Sequence, residues 1–156
     1  FFEGWCVASE PESVEALSHD VNTLERDQDA QRIWRTYVND QLDGPYRKLF
    51  DRLDSLIFLQ APHFDDVWRW RWQQEKKLHA RVLKSGKGAA KGLMTQDEIK
   101  KFVAHYQRVT QQNLNCLPRR ADVVFRLDSH CRIQSASGRL VQEGVLTFGG
   151  ANGNFY

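Results

Sequence analysis

An arginine and a glutamate stand four residues apart in the middle of an apolar helical pattern. At about 100° per residue, the apolar side chains of residues 63–83 define one stripe of a helix, and Arg71 and Glu75 fall in the centre of that stripe. The stripe consists of Phe64, Val67, Trp68, Leu78 and Val82. The charged pair is either a structural ion pair, which often makes no net contribution when buried, or one wall of a ligand cleft. Periodicity alone does not separate these two interpretations.

A second candidate carboxylate follows an apolar run at the start of the sequence. Phe1 and Phe2 lead directly into Glu3 and Gly4, as happens where a buried parallel strand ends. Ligands of open α/β sheets bind at the carboxyl ends of strands, so Glu3 is a candidate site residue. Because the sequence begins inside this run without a methionine, we expect a domain truncated before its first strand or strands.

The charges are distributed unevenly along the chain. Residues 1–30 contain eight acids and one base, whereas residues 69–101 contain ten bases and three acids. This asymmetry suits an anionic ligand facing the basic segment, and two solvated faces of opposite sign are the alternative. Binding of single-stranded nucleic acid through neighbouring tryptophans is disfavoured, because the net charge is only +2 and Trp68 belongs to the apolar stripe.

The basic segment includes a glycine- and lysine-rich stretch, residues 84–94, which predicts a flexible loop. It is not a Walker A loop, because that motif requires G-x-x-x-x-G-K-[ST] between a strand and a helix. Here Lys87 is followed by Gly88, and Arg81 occupies the position of the first glycine.

The remaining patterns alternate between strand and helix and predict an α/β fold with a parallel sheet, because parallel strands need helical crossovers. Strands are predicted over residues 1–4, 55–59, 122–127 and 131–134, with 55–59 buried on both faces. Longer helices are predicted over residues 31–42, 45–53, 63–83 and 95–117, the last beginning with the capping box Thr95–Glu98. Pro45 should separate the first two. Shorter turns are predicted at residues 14–17 and at 24–26, the latter capped by Asn22 or Thr23.

Composition supports one folded domain, because aromatic residues are plentiful, with five Trp and nine Phe, and disordered chains lack them. Three cysteines without metal-ligand spacing predict free thiols in a reducing compartment, hence the cytoplasm. No apolar run reaches the roughly 20 residues of a membrane span. We place residues 1–136 in the domain and leave residues 137–156 as a tail of uncertain structure.

Taken together, the motifs resemble the carboxyl-terminal half of the D-glycerate 3-kinase-like proteins, P-loop kinases related to phosphoribulokinase, uridine kinase and pantothenate kinase. The resemblance covers residues 1 to about 135 and depends on the order of seven motifs. These are Phe2-Glu3-Gly4-Trp5-Cys6-Val7, Asn22-x-Leu24-Glu25, Trp34-Arg35-x-Tyr37-Val38-Asn39, Leu59-x-Ala61-Pro62-x-Phe64, Trp70-Arg71-x-x-Gln74-Glu75, Met94-Thr95-x-x-Glu98 and Leu117-Pro118-x-Arg120-Ala121-Asp122.

The resemblance implies a three-layer P-loop kinase fold and ATP-dependent transfer of a phosphoryl group to a hydroxyl of a small acceptor, with D-glycerate as the implied acceptor. ATP and Mg²⁺ are the implied cofactors, and neither nucleic acid nor a membrane is an implied partner. The Walker A loop is expected upstream of residue 1, and without it the chain alone should be inactive. The alternative is a catalytically dead kinase relative that acts as a protein-interaction domain.

The resemblance also assigns roles to individual residues. Glu3 would bind Mg²⁺ or act as a base toward the acceptor hydroxyl, and the sequence does not separate these roles. Arg71 would contact the transferring phosphoryl group from a lid, held by Glu75, while Lys84 and Lys87 make the lid loop electropositive or belong to a solvated linker. The implied acceptor-pocket residues, whose alternatives are helix caps and surface ion pairs, are Trp5, Asn22, Glu25, Arg35 and Asn39. The implied nucleotide-base residues are Asp128 and Arg132.

Overall fold

A computed structural model gives the structure of the chain, and it describes residues 1–84 and 93–144. The fold is α/β, as predicted, with a three-stranded sheet in the order β1-β2-β3. The strands are β1 (Ile57–Gln60), β2 (Val123–Leu127) and β3 (Ile133–Ser137). The helices are α1 (Val14–Leu17), α2 (Thr23–Gln28), α3 (Ile33–Gln41), α4 (Arg47–Phe50), α5 (Phe64–Lys84), α6 (Gln96–Ala104), α7 (Gln107–Cys116) and α8 (Arg139–Gln142).

The sheet is mixed, so the prediction of a wholly parallel sheet is wrong for β3. β1 and β2 are parallel, with Ile57 opposite Val123, and a long helical crossover joins them. β3 runs antiparallel to β2, with Phe125 opposite Ala136. Only a short turn separates β2 from β3, and a connection of that length can join only antiparallel strands, because a parallel pair needs a crossover.

Two strand predictions need correction in detail. β1 was expected to be buried on both faces, but Ile57 and Leu59 are more than half exposed, because β1 is an edge strand of the described sheet. The central strand β2 is the buried one, with Val123 and Val124 almost inaccessible.

Residues 1–4 form no strand, and nothing in the described sheet pairs with them. Val7 instead donates its N–H to the carbonyl of Gly4 in a turn.

The predicted break at Pro45 does not occur. α3 runs into α4 through a π-helical turn, Leu42–Tyr46, which contains the proline. In an α-helical turn the ring of Pro45 would press on the carbonyl of Gln41. The wider π turn separates these two groups, so the chain remains helical.

The helix caps follow the sequence closely. Asn22 accepts the N–H of Glu25 and caps α2, and the capping box of Thr95 and Glu98 begins α6. The predicted helix 95–117 is divided into α6 and α7 at His105 and Tyr106.

The apolar face of α5 packs against α6. Phe64, Ile99 and Val103 form the buried cluster between them, and the partly buried side chains around it are Val67, Trp68, Trp72 and Met94. Of the predicted stripe, Leu78 remains nearly half exposed. None of the helices in residues 1–84 and 93–144 has the length and apolarity needed to cross a membrane.

Gly138 lies where β3 turns into α8 and should tolerate no side chain. Its φ of +117° is unfavourable for other residues, and a Cβ atom would stand 2.4 Å from the carbonyl oxygen of Asp122. We expect Gly138→Ala to lower the free energy of unfolding by about 2 kcal/mol or more. Urea unfolding monitored by circular dichroism tests this. Gly44→Ala is the matched control, because a Cβ atom there meets nothing within 4 Å; equal midpoints for the two variants would contradict the prediction.

Candidate functional site

Arg71 and Glu75 form an ion pair on α5, with 2.7 Å between the Arg71 Nη1 and a Glu75 carboxylate oxygen. The Glu75 side chain is 1% exposed, whereas that of Arg71 is 31% exposed. The other Glu75 oxygen accepts the N–H of Met94 at 2.8 Å. These two hydrogen bonds hold the pKa of Glu75 below its ordinary value, and the one from Met94 has the larger effect. A buried, ionised glutamate therefore fixes an arginine whose guanidinium reaches solvent.

The basic segment 84–94 starts at the last residue of α5. Lys84 is the last residue of α5 and is exposed, whereas Lys87 lies outside the described residues. The Glu75–Met94 hydrogen bond ties α5 to the first turn before α6. Glu75 thus holds Met94 against α5, directly before Thr95, which caps α6.

Glu3 is exposed and lies outside regular secondary structure. It makes no hydrogen bond or ion pair through its side chain with the other described residues. A carboxylate without a protein partner fits a Mg²⁺ ion, which is commonly held by one or two carboxylates together with substrate phosphates. The described residues contain no group of three His, Cys, Asp or Glu side chains arranged around a metal.

Asp128 and Arg132 shape the turn between β2 and β3. The Asp128 carboxylate accepts the backbone N–H groups of His130 and Arg132, both at 2.9 Å, and pairs with the Arg132 guanidinium at 3.1 Å. The indole N–H of Trp70, on α5, donates to the carbonyl of Ser129 at 2.7 Å. The turn is therefore fixed internally by Asp128 and attached to α5 by Trp70.

Arg35 is buried in an ion network with three acids. Its side chain is 2% exposed, and its guanidinium lies 2.7 Å from Asp20, 3.0 Å from Asp29 and 3.4 Å from Glu25. Each of its three side-chain nitrogens donates a hydrogen bond: Nε to the Asp29 carboxylate, Nη1 to the carbonyl of His19, and Nη2 to the carbonyl of Asp29 at 2.7 Å. This saturation favours a structural role over direct contact with a ligand.

Arg108, on α7, completes this network, and the sequence did not single it out. Its Nη1 donates to Glu12 at 2.7 Å, and its Nε and Nη2 bind the two oxygens of Glu25 at 2.8 and 2.7 Å. Nη2 also donates to the carbonyl of His19. The hydrogen bonds with the two glutamates outweigh burial and raise the pKa of Arg108. Arg108 thereby fastens the acidic segment 10–25 to α7.

A cavity of about 440 Å³ lies beside this network, between α2, α3, α6 and α7. Three of the five predicted acceptor-pocket residues line it, namely Glu25, Arg35 and Asn39. The other two do not. Asn22 caps α2 and donates to the carbonyl of Ala104 at 2.9 Å, and Trp5 packs edge-on against Tyr106 at 4.8 Å between ring centroids.

The polar atoms of the three lining residues are already engaged. The Asn39 amide exchanges two hydrogen bonds with the backbone of Glu12, at 2.7 and 3.2 Å, and Glu25 is held by Arg108. The polar groups of these three residues therefore bind other groups of the protein. They shape the cavity but are not free to bind a ligand. The rest of the cavity lining combines apolar side chains, among them Leu24, Trp34 and Val38, with the amide side chains of Gln28 and Gln112.

The network should make stability depend on pH through Glu25. Burial disfavours its ionised form, but hydrogen bonds from Arg108 and from the N–H of Val21 hold its pKa below its ordinary value near 4.5. A carboxyl group whose pKa is lowered by folding stabilises the folded protein at pH values above its ordinary pKa. This stabilisation is lost as the pH falls through the folded-state pKa. We expect Glu25→Gln to reduce the loss of stability on acidification below about pH 4.5. Urea midpoints at pH 7, 4.5 and 3.5 test this, and parallel midpoint curves for wild type and variant would contradict it.

Comparison with known proteins gives a curated relative and similar solved structures. The chain is 36% identical over 110 residues to the uncharacterized kinase mug58 of Schizosaccharomyces pombe. The matched region covers 67% of this chain and 34% of that protein. The fold of this chain matches that of D-glycerate 3-kinase from Cryptococcus neoformans with a TM-score of 0.61 at 21% identity. The match covers 88% of this chain and 48% of the kinase chain. The fold also matches the YGR205w protein with a TM-score of 0.53 at 22% identity, over 86% and 45% of the two chains. No protein-family model matches the sequence.

The fold and these relatives define a kinase-like α/β protein. The predicted resemblance to the D-glycerate 3-kinase-like proteins is confirmed at the level of the fold, and the curated relative is named as a kinase. The chain spans about a third of the curated relative and about half of each solved structure.

Proposed function

We propose that this chain belongs to a cytoplasmic ATP-dependent kinase that phosphorylates a hydroxyl of a small acceptor, D-glycerate in particular. The proposal depends on Arg71, a cation that a buried carboxylate holds in place while its guanidinium stays accessible. Relatives with kinase activity in their names support the reaction class. In this proposal a P-loop in the complete protein supplies the remaining phosphate contacts.

The proposed reaction is an in-line displacement. The acceptor oxygen forms a bond to the γ-phosphorus of ATP while the bond from that phosphorus to the β–γ bridging oxygen breaks, and ADP leaves. Arg71 neutralises charge on the transferring group, for which a guanidinium has a suitable planar set of donors. Glu3 either accepts the proton of the acceptor hydroxyl or provides one ligand of Mg²⁺, which would neutralise phosphate charge. In the second case the hydroxyl proton is released to water.

The acceptor pocket in this proposal is the cavity between α2, α3, α6 and α7. Because the donors of Arg35 and Arg108 are occupied, these residues would fix the walls rather than bind the acceptor. Glu25 and Asn39 would act in the same way, through Arg108 and through the backbone of Glu12. Trp5 and Asn22 would contribute only to packing and capping beside the pocket.

The test is an assay of the protein expressed from its complete reading frame. ADP release is measured with D-glycerate, with other small hydroxy acids and with no acceptor, in the presence of Mg²⁺. We expect ADP release that depends on D-glycerate, together with a phosphoglycerate product. Activity with another acceptor alone would overturn the substrate assignment and keep the reaction class. Absence of phosphorylation with all acceptors would favour the interaction-domain alternative.

A further inference from the structure

A second cavity, of about 290 Å³, lies between the loop of residues 8–11, the helix α4 and the turn before β2. Its lining is largely polar and includes the side chains of Ser9, Arg47, Asp51 and Arg120. None of these four residues lines the first cavity. The second cavity is therefore a space separate from the proposed acceptor pocket.

Ser9 is buried in the wall of this cavity and its hydroxyl has no hydrogen-bond partner. The residue is 4% exposed, and its Oγ bonds to none of the described residues. An unpaired buried hydroxyl costs free energy, and native proteins retain few of them. The backbone is fixed here, because Ser9 donates its N–H to the carbonyl of Cys6. No hydrogen bond holds the hydroxyl itself, so it is free to turn about the Cα–Cβ bond toward a ligand in the cavity.

Arg120 holds the loop of residues 8–11 and still has donors to offer. Its Nη1 donates to the carbonyl of Ala8 at 3.3 Å and lies 2.8 Å from the Glu10 carboxylate. Its side chain is 47% exposed, and its Nε and Nη2 bond to none of the other described residues. Arg47 likewise uses its Nη2 in an exposed pair with Asp43 at 2.8 Å. Two guanidinium groups with donors to spare in one cavity wall suit a carboxylate.

Asp51 gives the cavity an acid that no other described side chain neutralises. Together with Glu10, the lining contains two acids and two arginines, so its formal charges sum to zero. A simple anion would be repelled by Asp51, and a simple cation would be repelled by the arginines. A small molecule with both charges finds a partner for each. Leu42 and Phe50 add an apolar surface that a short side chain can contact.

We propose that this second cavity is a binding site for a small zwitterion, an α-amino acid with a short apolar side chain. The ligand carboxylate accepts hydrogen bonds from Arg47, Arg120 and the Ser9 hydroxyl. The ligand ammonium group donates to Asp51. This inference goes beyond the proposed kinase function and does not depend on it. Because Glu10 lines both cavities, the bound amino acid lies beside the proposed acceptor pocket.

The test is binding of L-alanine to the complete protein, without ATP or acceptor, followed by NMR on ¹⁵N-labelled protein. Propionate lacks the ammonium group of L-alanine and ethylammonium lacks its carboxylate, so each probe removes one charge. We expect L-alanine to shift the amide resonances of residues 8–10 with saturation. Each single-charge probe should bind at least about tenfold more weakly, as for the loss of one charged hydrogen bond. Equal affinity for either of them would overturn the amino-acid assignment, and the absence of saturable shifts with L-alanine would overturn the site.

Two variants test the charges of the cavity. Asp51→Asn and Arg120→Met should each weaken L-alanine binding by about tenfold or more. Asp27→Asn and Arg26→Met are the matched controls, because these residues form an exposed ion pair and do not line the cavity. Asp51 is exposed, so its variant keeps the test decisive even if loss of Arg120 unfolds the loop. Equal affinity in Asp51→Asn and Asp27→Asn would contradict the inference.

Replacing Ser9 by alanine separates a ligand contact from a structural role. The change removes a hydroxyl that the free protein leaves unpaired, so without ligand we expect a melting temperature equal to or above that of the wild type. We expect the affinity for L-alanine to fall by about two- to tenfold, as for the loss of one hydrogen bond. A lower melting temperature without ligand, or an unchanged affinity for L-alanine, would overturn the role of Ser9 in this site.

Discussion

Replacing Arg71 by alanine in the complete protein is expected to lower kcat by about 100-fold or more while KM for the acceptor changes little. Arginines that neutralise charge on a transferring phosphoryl group contribute factors of this size or larger. The guanidinium of Arg71 is held through one nitrogen by Glu75 and is 31% exposed, so it has donors left for phosphate oxygens. Initial rates of ADP release at saturating ATP and acceptor measure the effect.

The alanine variant also leaves Glu75 buried without its cation, which costs stability. The double variant Arg71→Ala/Glu75→Gln removes that charge, and a glutamine oxygen still accepts the N–H of Met94. We therefore expect the double variant to recover the melting temperature of the wild type without recovering turnover. Recovery of both would show that Arg71 acts only through folding.

Two further variants define the role of the guanidinium. Arg71→Lys keeps the charge but loses the planar set of donors, and we expect turnover between the wild-type and alanine values. Arg69→Ala is the control, because Arg69 is an exposed arginine of the same helix that also pairs with a buried acid, Asp66, and this variant should retain wild-type turnover. If turnover of Arg71→Ala stays within twofold of wild type, Arg71 does not contact the transferring phosphoryl group as a lid residue.

Features controlled by neighbouring residues could be predicted from the sequence. The α6 capping box, the Asn22 cap and the extent of α5 all depend on side chains within a few turns of one another. The Arg71–Glu75 pair follows from the same helical spacing. The prediction failed at Pro45 because a rigid ring in a helical pattern usually ends the helix, and a π turn that accommodates it has no separate sequence signal.

Features that depend on distant partners could not be predicted. The burial of β1 depends on how many strands flank it, which the run Ser55–Leu59 does not reveal. Arg108 has its acidic partners 83 and 96 residues away, and no periodic pattern links them. The resemblance places Arg35 and Glu25 in one pocket, but only the folded structure shows that their charges neutralise one another.

Replacing Arg108 by methionine is expected to lower the free energy of unfolding by about 3–5 kcal/mol, the range for removal of one partner from a buried ion pair. Methionine keeps most of the side-chain volume, so the loss comes from the charge and its hydrogen bonds. Glu12 would lose its cation, Glu25 would keep only the longer contact with Arg35 at 3.4 Å, and the carbonyl of His19 would lose a donor 2.6 Å away. Urea unfolding at pH 7 measures the effect.

Two variants show whether this loss comes from the ion network itself. Arg26→Met removes an arginine from an exposed pair with Asp27 and should leave the unfolding midpoint unchanged, because such pairs are screened by solvent. Glu25→Gln combined with Arg108→Met should destabilise less than the sum of the two single changes, because the charge left unpaired by the loss of Arg108 is then absent. Additive effects in this cycle, or a loss below about 1 kcal/mol for Arg108→Met, would mean that solvent rather than Arg108 neutralises the acidic segment. The cavity beside α3 would then have walls that are free to move, and its shape could not select an acceptor.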